Sequence, residues 1–371
     1  MKKLVFLLLF LLLFSFSVSA ETSENTDPYI GMYEAGGTEE LEEMLPDDTR
    51  ELLGKLNVDI SDSGWVNELT FDSVWEQILG FFRDGAKTPV RCGGLCLAVL
   101  LITAAASTFD FFRPFGDVAG YIFAVSAVSG MLLPVFSLIE SSAAAVKGIS
   151  TLMSGFIPLY AGLLTIGGQT LTASGMSFLM LGAAGIVSGL AAFVIVPLMS
   201  CYLGVGLAGT VMPIGGVNRL GEGMKKAAMW GLSLTITVFL GILSVQTAVN
   251  RAADGLGLKT VRFMIGTFVP VAGGALSESL TTLLGSFRLL KTSVAMFAAV
   301  GVALTVLPIV IELLIWRITL FVLDIAADIL GVKAKTEILR AADSVLSVLV
   351  GILLFTAALF IISLAVISGG S

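Results

Sequence analysis

From Pro89 to its end the chain is almost continuously apolar, and no other feature limits its fold so strongly. A backbone crossing hydrocarbon must satisfy its own polar groups, and a helical crossing takes about 20 apolar residues. Only 13% of the residues are charged, 56% are hydrophobic and the mean hydropathy is +0.97, whereas soluble domains carry roughly a quarter charged residues. The fold class is therefore an all-α polytopic membrane protein.

Polar punctuation cuts the run into eight apolar segments: 92–109, 118–139, 149–168, 176–202, 230–249, 263–276, 292–316 and 345–367. Two of them carry a recurring motif. Phe156-Ile157-Pro158-Leu159-Tyr160-Ala161-Gly162 returns as Phe268-Val269-Pro270-Val271-Ala272-Gly273-Gly274. Lys147 and Lys259 precede the two motifs, and Pro197 and Pro308 follow them, all at an offset of about 112 residues. Landmarks in a fixed order indicate duplication: repeat 1 at 118–229, repeat 2 at 230–343, then a final helix at 345–367. Proline inside an apolar segment removes a hydrogen bond and kinks or breaks a helix, so proline-broken helices are expected at Pro158 and Pro270.

Ahead of this 89–371 membrane domain come two shorter regions. Lys2 and Lys3, the apolar run Leu4–Phe16 and the small residues ending at Ala20 read as a signal peptide over 1–20. Residues 21–88 carry a net charge of −13 and read as an acidic extracytoplasmic segment, while the chain from 89 onward is net +4. Such an acidic segment disfavours nucleic acid as a partner. A helical pattern begins near Thr38. A second follows Asp72, with Val74, Trp75, Ile78, Leu79 and Phe82 on one stripe, expected to lie against the protein's own membrane domain.

If the two motif segments dip into the bilayer and return, the repeats are parallel; if they cross, the repeats are inverted. The distribution of Lys and Arg is nearly the same either way. Placing Trp230 and Trp316 at one interface favours the parallel arrangement.

There is no histidine, which removes imidazole acid/base catalysis, the Ser/His/Asp triad and imidazole metal ligation. Cys92, Cys96 and Cys201 lack zinc-site spacing and read as small apolar residues. Gly204-Val205-Gly206-Leu207-Ala208-Gly209 has the letters of a dinucleotide fingerprint but not its strand-and-helix setting. With no phosphate-binding Gly-Lys-Ser/Thr loop either, energy from ATP would have to come from another subunit. No catalytic residue, metal site, cofactor or enzymatic activity is expected.

Candidate functional positions come from two other patterns. Gly182, Gly185 and Gly189 form a small-residue face suited to close helix packing. Each Phe-x-Pro motif is followed by a polar stretch: Thr165, Gln169, Thr170, Thr172 and Ser174 after the first, Ser277, Glu278, Ser279, Thr281 and Thr282 after the second. With Pro158 and Pro270 these make a polar pathway at the repeat interface, with Pro158, Gln169, Pro270, Ser277, Glu278 and Ser279 as its candidates, or else loops at headgroup level. Glu140, Glu312, Arg288 and Lys291 are expected at span ends, near the interface.

A signal peptide, a short acidic exported segment and a Gly/Ala-rich polytopic domain carrying the two Phe-x-Pro motifs and Gly167-Gly168-Gln169-Thr170 together resemble the stage III sporulation protein AE family, over nearly the whole chain. The resemblance implies a multi-pass subunit of the mother cell to forespore channel, required for endospore formation and late forespore gene expression. It places the protein in the mother-cell membrane around the forespore, with its N-terminal segment outside the cytoplasm. The implied partners are the other subunits of the channel complex, including a separate ATPase and ring-forming proteins, besides the lipid bilayer. The repeat and broken helices alone leave a stand-alone secondary transporter for a small solute as the alternative.

Overall fold

In a computed structural model, residues 45–56, 58, 71–108, 116–211, 217–268, 273–330 and 337–368 are described. They form helices α1 (Asp47–Lys55), α2 (Phe71–Gly85), α3 (Lys87–Thr108), α4 (Gly116–Ile166) and α5 (Thr170–Leu190), a single π-helical turn (Ala191–Ile195), then α6 (Val196–Val211), α7 (Val217–Phe268), α8 (Gly273–Ile329) and α9 (Glu337–Ser368). Six helical segments among the described residues are long and apolar enough to cross a membrane: Trp75–Ala105, Leu133–Ile166, Thr170–Gly206, Glu222–Gly255, Leu290–Ile329 and Leu339–Ser368.

The segments merge differently from the sequence expectation. Residues 118–139 and 149–168 were expected as two units, yet α4 is one helix of 51 residues, about 76 Å at 1.5 Å per residue. Its prolines, Pro134 and Pro158, lie inside it without breaking it. Pro158 is on the exposed side, so its ring and the carbonyl it orphans sit away from the packed core. The first motif segment thus does not dip and return; α4 ends in a tight turn and α5 packs back along it. Pro308 also stays inside uninterrupted helix in α8. The backbone gives way instead just before Pro197, where the π-helical turn lies. A π turn supplies the extra residue that lets a proline fit a helix.

Helix also continues across the N-terminal boundary. The expected division at 88/89 falls within one helical run, because Ala86 N–H donates to Phe82 O at 3.0 Å and Val90 N–H to Ala86 O at 3.0 Å, joining α2 to α3. α2 packs on α8 as expected, but Trp75, Leu79 and Phe82 of its stripe are exposed and Ile78 is half-buried, while a Cβ at Gly85 would lie 3.6 Å from Glu312 and Ile315 of α8. The expected signal peptide lies outside the described residues, as does Pro270. The proposed repeat boundary at 229/230 falls inside α7, which runs through it unbroken.

Burial ranks the segments. The apolar window of α9 is 83% buried and that of α8 61%, against 17% for α7, so the last helix is the centre of the bundle. α9 packs on α8, α7, α4 and α6. The core holds Trp316, Tyr160, Phe156, Phe297 and Phe360, all nearly inaccessible. Phe156 and Tyr160, one turn apart in the first motif, stack with centroids 5.2 Å apart. The motif therefore presents an aromatic pair to the core and its proline to the outside. Trp316 was expected at an interface beside Trp230; Trp316 is fully buried and Trp230 is 70% exposed.

Candidate functional site

The polar stretch after the first motif is where distant parts of the chain meet. α4 ends at Ile166 and the next two residues are glycines. Gln169 N–H donates to Leu164 O at 2.8 Å and Gly168 N–H to Thr165 O at 3.0 Å, the paired pattern of a Schellman stop. Gly168 has φ 77°, a left-handed conformation that glycine adopts without strain. The helix stops because two glycines allow it to, and the chain reverses into α5.

The new helix begins with unsatisfied N–H groups, and Gln169 at its N-cap makes no side-chain capping bond. Asp254, from the far end of α7, supplies the acceptor. Its Oδ1 accepts from Leu171 N–H at 3.2 Å; its Oδ2 accepts from Thr172 N–H at 2.9 Å and from the Thr172 hydroxyl at 2.7 Å. The carboxylate is 7% exposed. A negative charge at a helix N-terminus is stabilised by the helix dipole as well as by the bonds.

Gln246, Asn250 and Asp254 are spaced by four and so share one face of α7. Gly175 of α5 lets that face come close: a Cβ there would collide with the side-chain amides of Gln246 and Asn250. Beside them lies a cavity of about 10 Å³ whose polar lining is Thr172, Gln246, Thr247 and Asn250, with Ile367 of α9 also on its wall. That is room for about one water, with enough polar partners to hold it. Lys291 of α8 is 6% exposed and its Nζ donates to Ile367 O at 3.5 Å. Helices α5, α7, α8 and α9 therefore bring one buried carboxylate, two amides, two threonines and one buried amine to the same end of the bundle.

Sequence reasoning reached part of this. Gln169 sits half-buried at the turn, and Thr172 is buried on Asp254. Thr165 and Ser174 are spoken for locally, donating to Ala161 O at 2.8 Å and Leu171 O at 3.1 Å. Asp254 falls between the expected segments 230–249 and 263–276, and Lys291 was expected at a span end; the first is on a helix, the second stands at the start of the candidate span Leu290–Ile329, and both are buried. Glu312 is half-buried within α8, not at a span end. The four-residue spacing of Gln246, Asn250 and Asp254 inside an apolar run was the missed signal. Ser277, Glu278 and Ser279 fall in α8, but their side chains, like all of Pro270, lie outside the described residues.

Among the described residues, the expected packing face takes no close contact from another helix of this chain. A Cβ at Gly182, Gly185 or Gly189 would meet nothing within 4 Å, since these glycines lie on the outer side of α5. Close approach occurs at Gly206, where a Cβ would lie 2.7 Å from Ala341 Cβ, and at Gly351, where it would lie 2.9 Å from Met229 Sδ. The Gly204–Gly209 pattern falls within helix α6, so the strand a dinucleotide site needs is absent there.

At the opposite end, ion pairs cross between α8 and α9: Arg317 Nε to Asp343 Oδ1 at 2.7 Å and Arg340 Nε to Asp324 Oδ1 at 3.4 Å. They fix the pairing of the two most buried helices.

The chain is similar to a known family over most of its length, from α2 onward. The family description of Stage III sporulation protein AE matches residues 67–371. Stage III sporulation protein AE of Bacillus subtilis (strain 168) is 29% identical over 113 residues, which are 30% of this chain and 28% of the relative. The alignment thus spans less than a third of that relative's length. No solved structure matches. Since the family match takes in all six candidate membrane segments, the chain belongs to the stage III sporulation protein AE family.

Proposed function

We propose that this protein is the multi-pass membrane subunit of the channel between mother cell and forespore, required for late forespore gene expression. The observation that carries the reading is the family match over 67–371, which coincides with the helical membrane bundle. In this role the protein sits in the mother-cell membrane around the forespore with its acidic N-terminal segment outside the cytoplasm. Ring-forming proteins and a separate ATPase are its partners. The polar end built on Asp254, with Gln169 beside it and Pro270, Ser277, Glu278 and Ser279 as further candidates, borders the path through the subunit. Membership of a sporulation family does not favour a stand-alone solute transporter.

The test is to tag the protein in the sporulating organism that encodes it and purify it from membranes after engulfment. Co-purification of an ATPase and ring-forming proteins, with loss of a late forespore reporter when the gene is deleted, supports the proposal. Normal reporter expression in the deletion strain, with the protein recovered alone, would sink it.

A further inference from the structure

Helix α1 occupies a position that an acidic, surface-type helix should not reach. Its inner face is apolar apart from one hydroxyl: Thr49 and Leu53 are buried, as are the flanking Leu45 and Leu56. That face seats on α8. Leu45 covers Gly301, where a Cβ would lie 2.8 Å from Leu45 Cδ2, and the Thr49 and Thr305 hydroxyls are 3.0 Å apart. Its outer face is charged: the Asp47, Glu51 and Lys55 side chains are 97%, 70% and 55% exposed.

The level of this seat along α8 gives it meaning. Lys291 reaches Ile367 O at one end of the α8–α9 pair, and Arg317 pairs with Asp343 at the other. At 1.5 Å per residue Gly301 and Thr305 lie about 15 and 21 Å from Lys291, and Thr305 about 18 Å from Arg317. They sit near the middle of the stretch between those two ends, within the candidate span Leu290–Ile329. Charged side chains turned into hydrocarbon at that depth cost several kcal/mol each. α1 can lie there only if its outer face meets water.

We propose that the Gly301–Thr305 face of α8 borders a water-filled cleft reaching the middle of the membrane, and that α1 is a removable plug seated in it. The cleft is a site for water and polar solutes along α8, distinct from the polar end around Asp254. Its existence rests on the α1 contact and the depth of that contact, not on the channel role.

Lipid-facing positions at the same level give the control. Met229 abuts Gly351, and Gln246 shares a cavity with Ile367, so α7 runs alongside α9 and places Leu234 and Val238 near the level of Thr305. Both are about half exposed, at 48% and 51%. In the full chain, with Cys92, Cys96 and Cys201 replaced by serine, single cysteines at Thr305, Leu234 and Val238 are treated with an impermeant maleimide in open membrane fragments. Undocking α1 with Leu53→Asp, or deleting residues 47–55, is expected to speed labelling of Thr305→Cys at least tenfold and leave Leu234→Cys and Val238→Cys unlabelled. A Thr49→Cys/Thr305→Cys pair reports docking: it should cross-link under mild oxidation with Leu53 present and not with Leu53→Asp. The proposal is overturned if Thr305→Cys stays as slow as Val238→Cys once α1 is removed, for then the face is lipid-covered. It is equally overturned if the two α7 positions label as fast as Thr305→Cys, for then that whole level stands outside the membrane.

Discussion

Replacing Asp254 with alanine removes, in one step, the acceptor for Leu171 N–H, Thr172 N–H and the Thr172 hydroxyl. A buried donor left without a partner costs about 1–3 kcal/mol, and loss of a helix cap costs about 1 kcal/mol in exposed settings. The adjacent cavity has room for about one water, which can replace one of the three acceptors. Two donors then remain unserved, for a loss of about 3 kcal/mol. At about 1.4 kcal/mol per factor of ten, local opening of the α4–α5 turn becomes roughly a hundredfold more frequent. Hydrogen exchange at the Leu171 and Thr172 amides, followed by mass spectrometry in detergent, reads this directly. Asp254→Asn keeps one carbonyl oxygen and should show a smaller acceleration, about tenfold. Peptides from α9 should exchange as in the parent protein. Exchange at Leu171 and Thr172 within about threefold of the parent in Asp254→Ala would refute the idea that this carboxylate holds the turn.

Phe156→Ala should cost about 3–5 kcal/mol in detergent unfolding, since it empties a fully buried site and unstacks Tyr160; Pro158→Ala, on the exposed side and restoring a helical N–H, should raise the unfolding temperature rather than lower it. Gly206→Val forces α6 away from Ala341 and should cost about 1–3 kcal/mol, whereas Gly185→Val, with nothing within 4 Å, should stay within about 0.5 kcal/mol in the same assay. For Arg317 and Asp343, a double-mutant cycle should return a coupling of about 1 kcal/mol at low salt that shrinks as salt is added, because the pair is only partly shielded, with side chains 22% and 37% exposed.

The membrane class and helical content were legible because they rest on a local property, the length of apolar runs, that no tertiary contact can reverse. The glycine stop at Gly167-Gly168 was equally local, and it opens the polar stretch that the sequence marks out. The partner of that stretch was not. Asp254 lies 82 residues from Thr172, and an acid near the end of an apolar run looks the same whether it faces solvent or caps a helix. Lys291 stands at a span end as expected, but neighbouring helices enclose it, whereas a lysine on a free helix end would snorkel to water.

The glycines make the same division. Gly182, Gly185 and Gly189 carry the close-packing pattern yet face outward, while Gly206 and Gly351, with no such pattern, take the close contacts. Glycine permits approach; which neighbour arrives depends on how α9 threads the bundle. Proline behaves alike. Its missing N–H is a sequence fact, but α4 runs through Pro134 and Pro158 while the chain forms a π turn ahead of Pro197. Sequence alone thus determined that the chain forms long apolar helices and where one of them must stop, because hydrophobic length and backbone freedom belong to individual residues. Tertiary structure decided that α9 is the core, that Asp254 and Lys291 are enclosed, and that an acidic helix rests on the middle of α8, because burial belongs to pairs of surfaces that only the folded chain brings together.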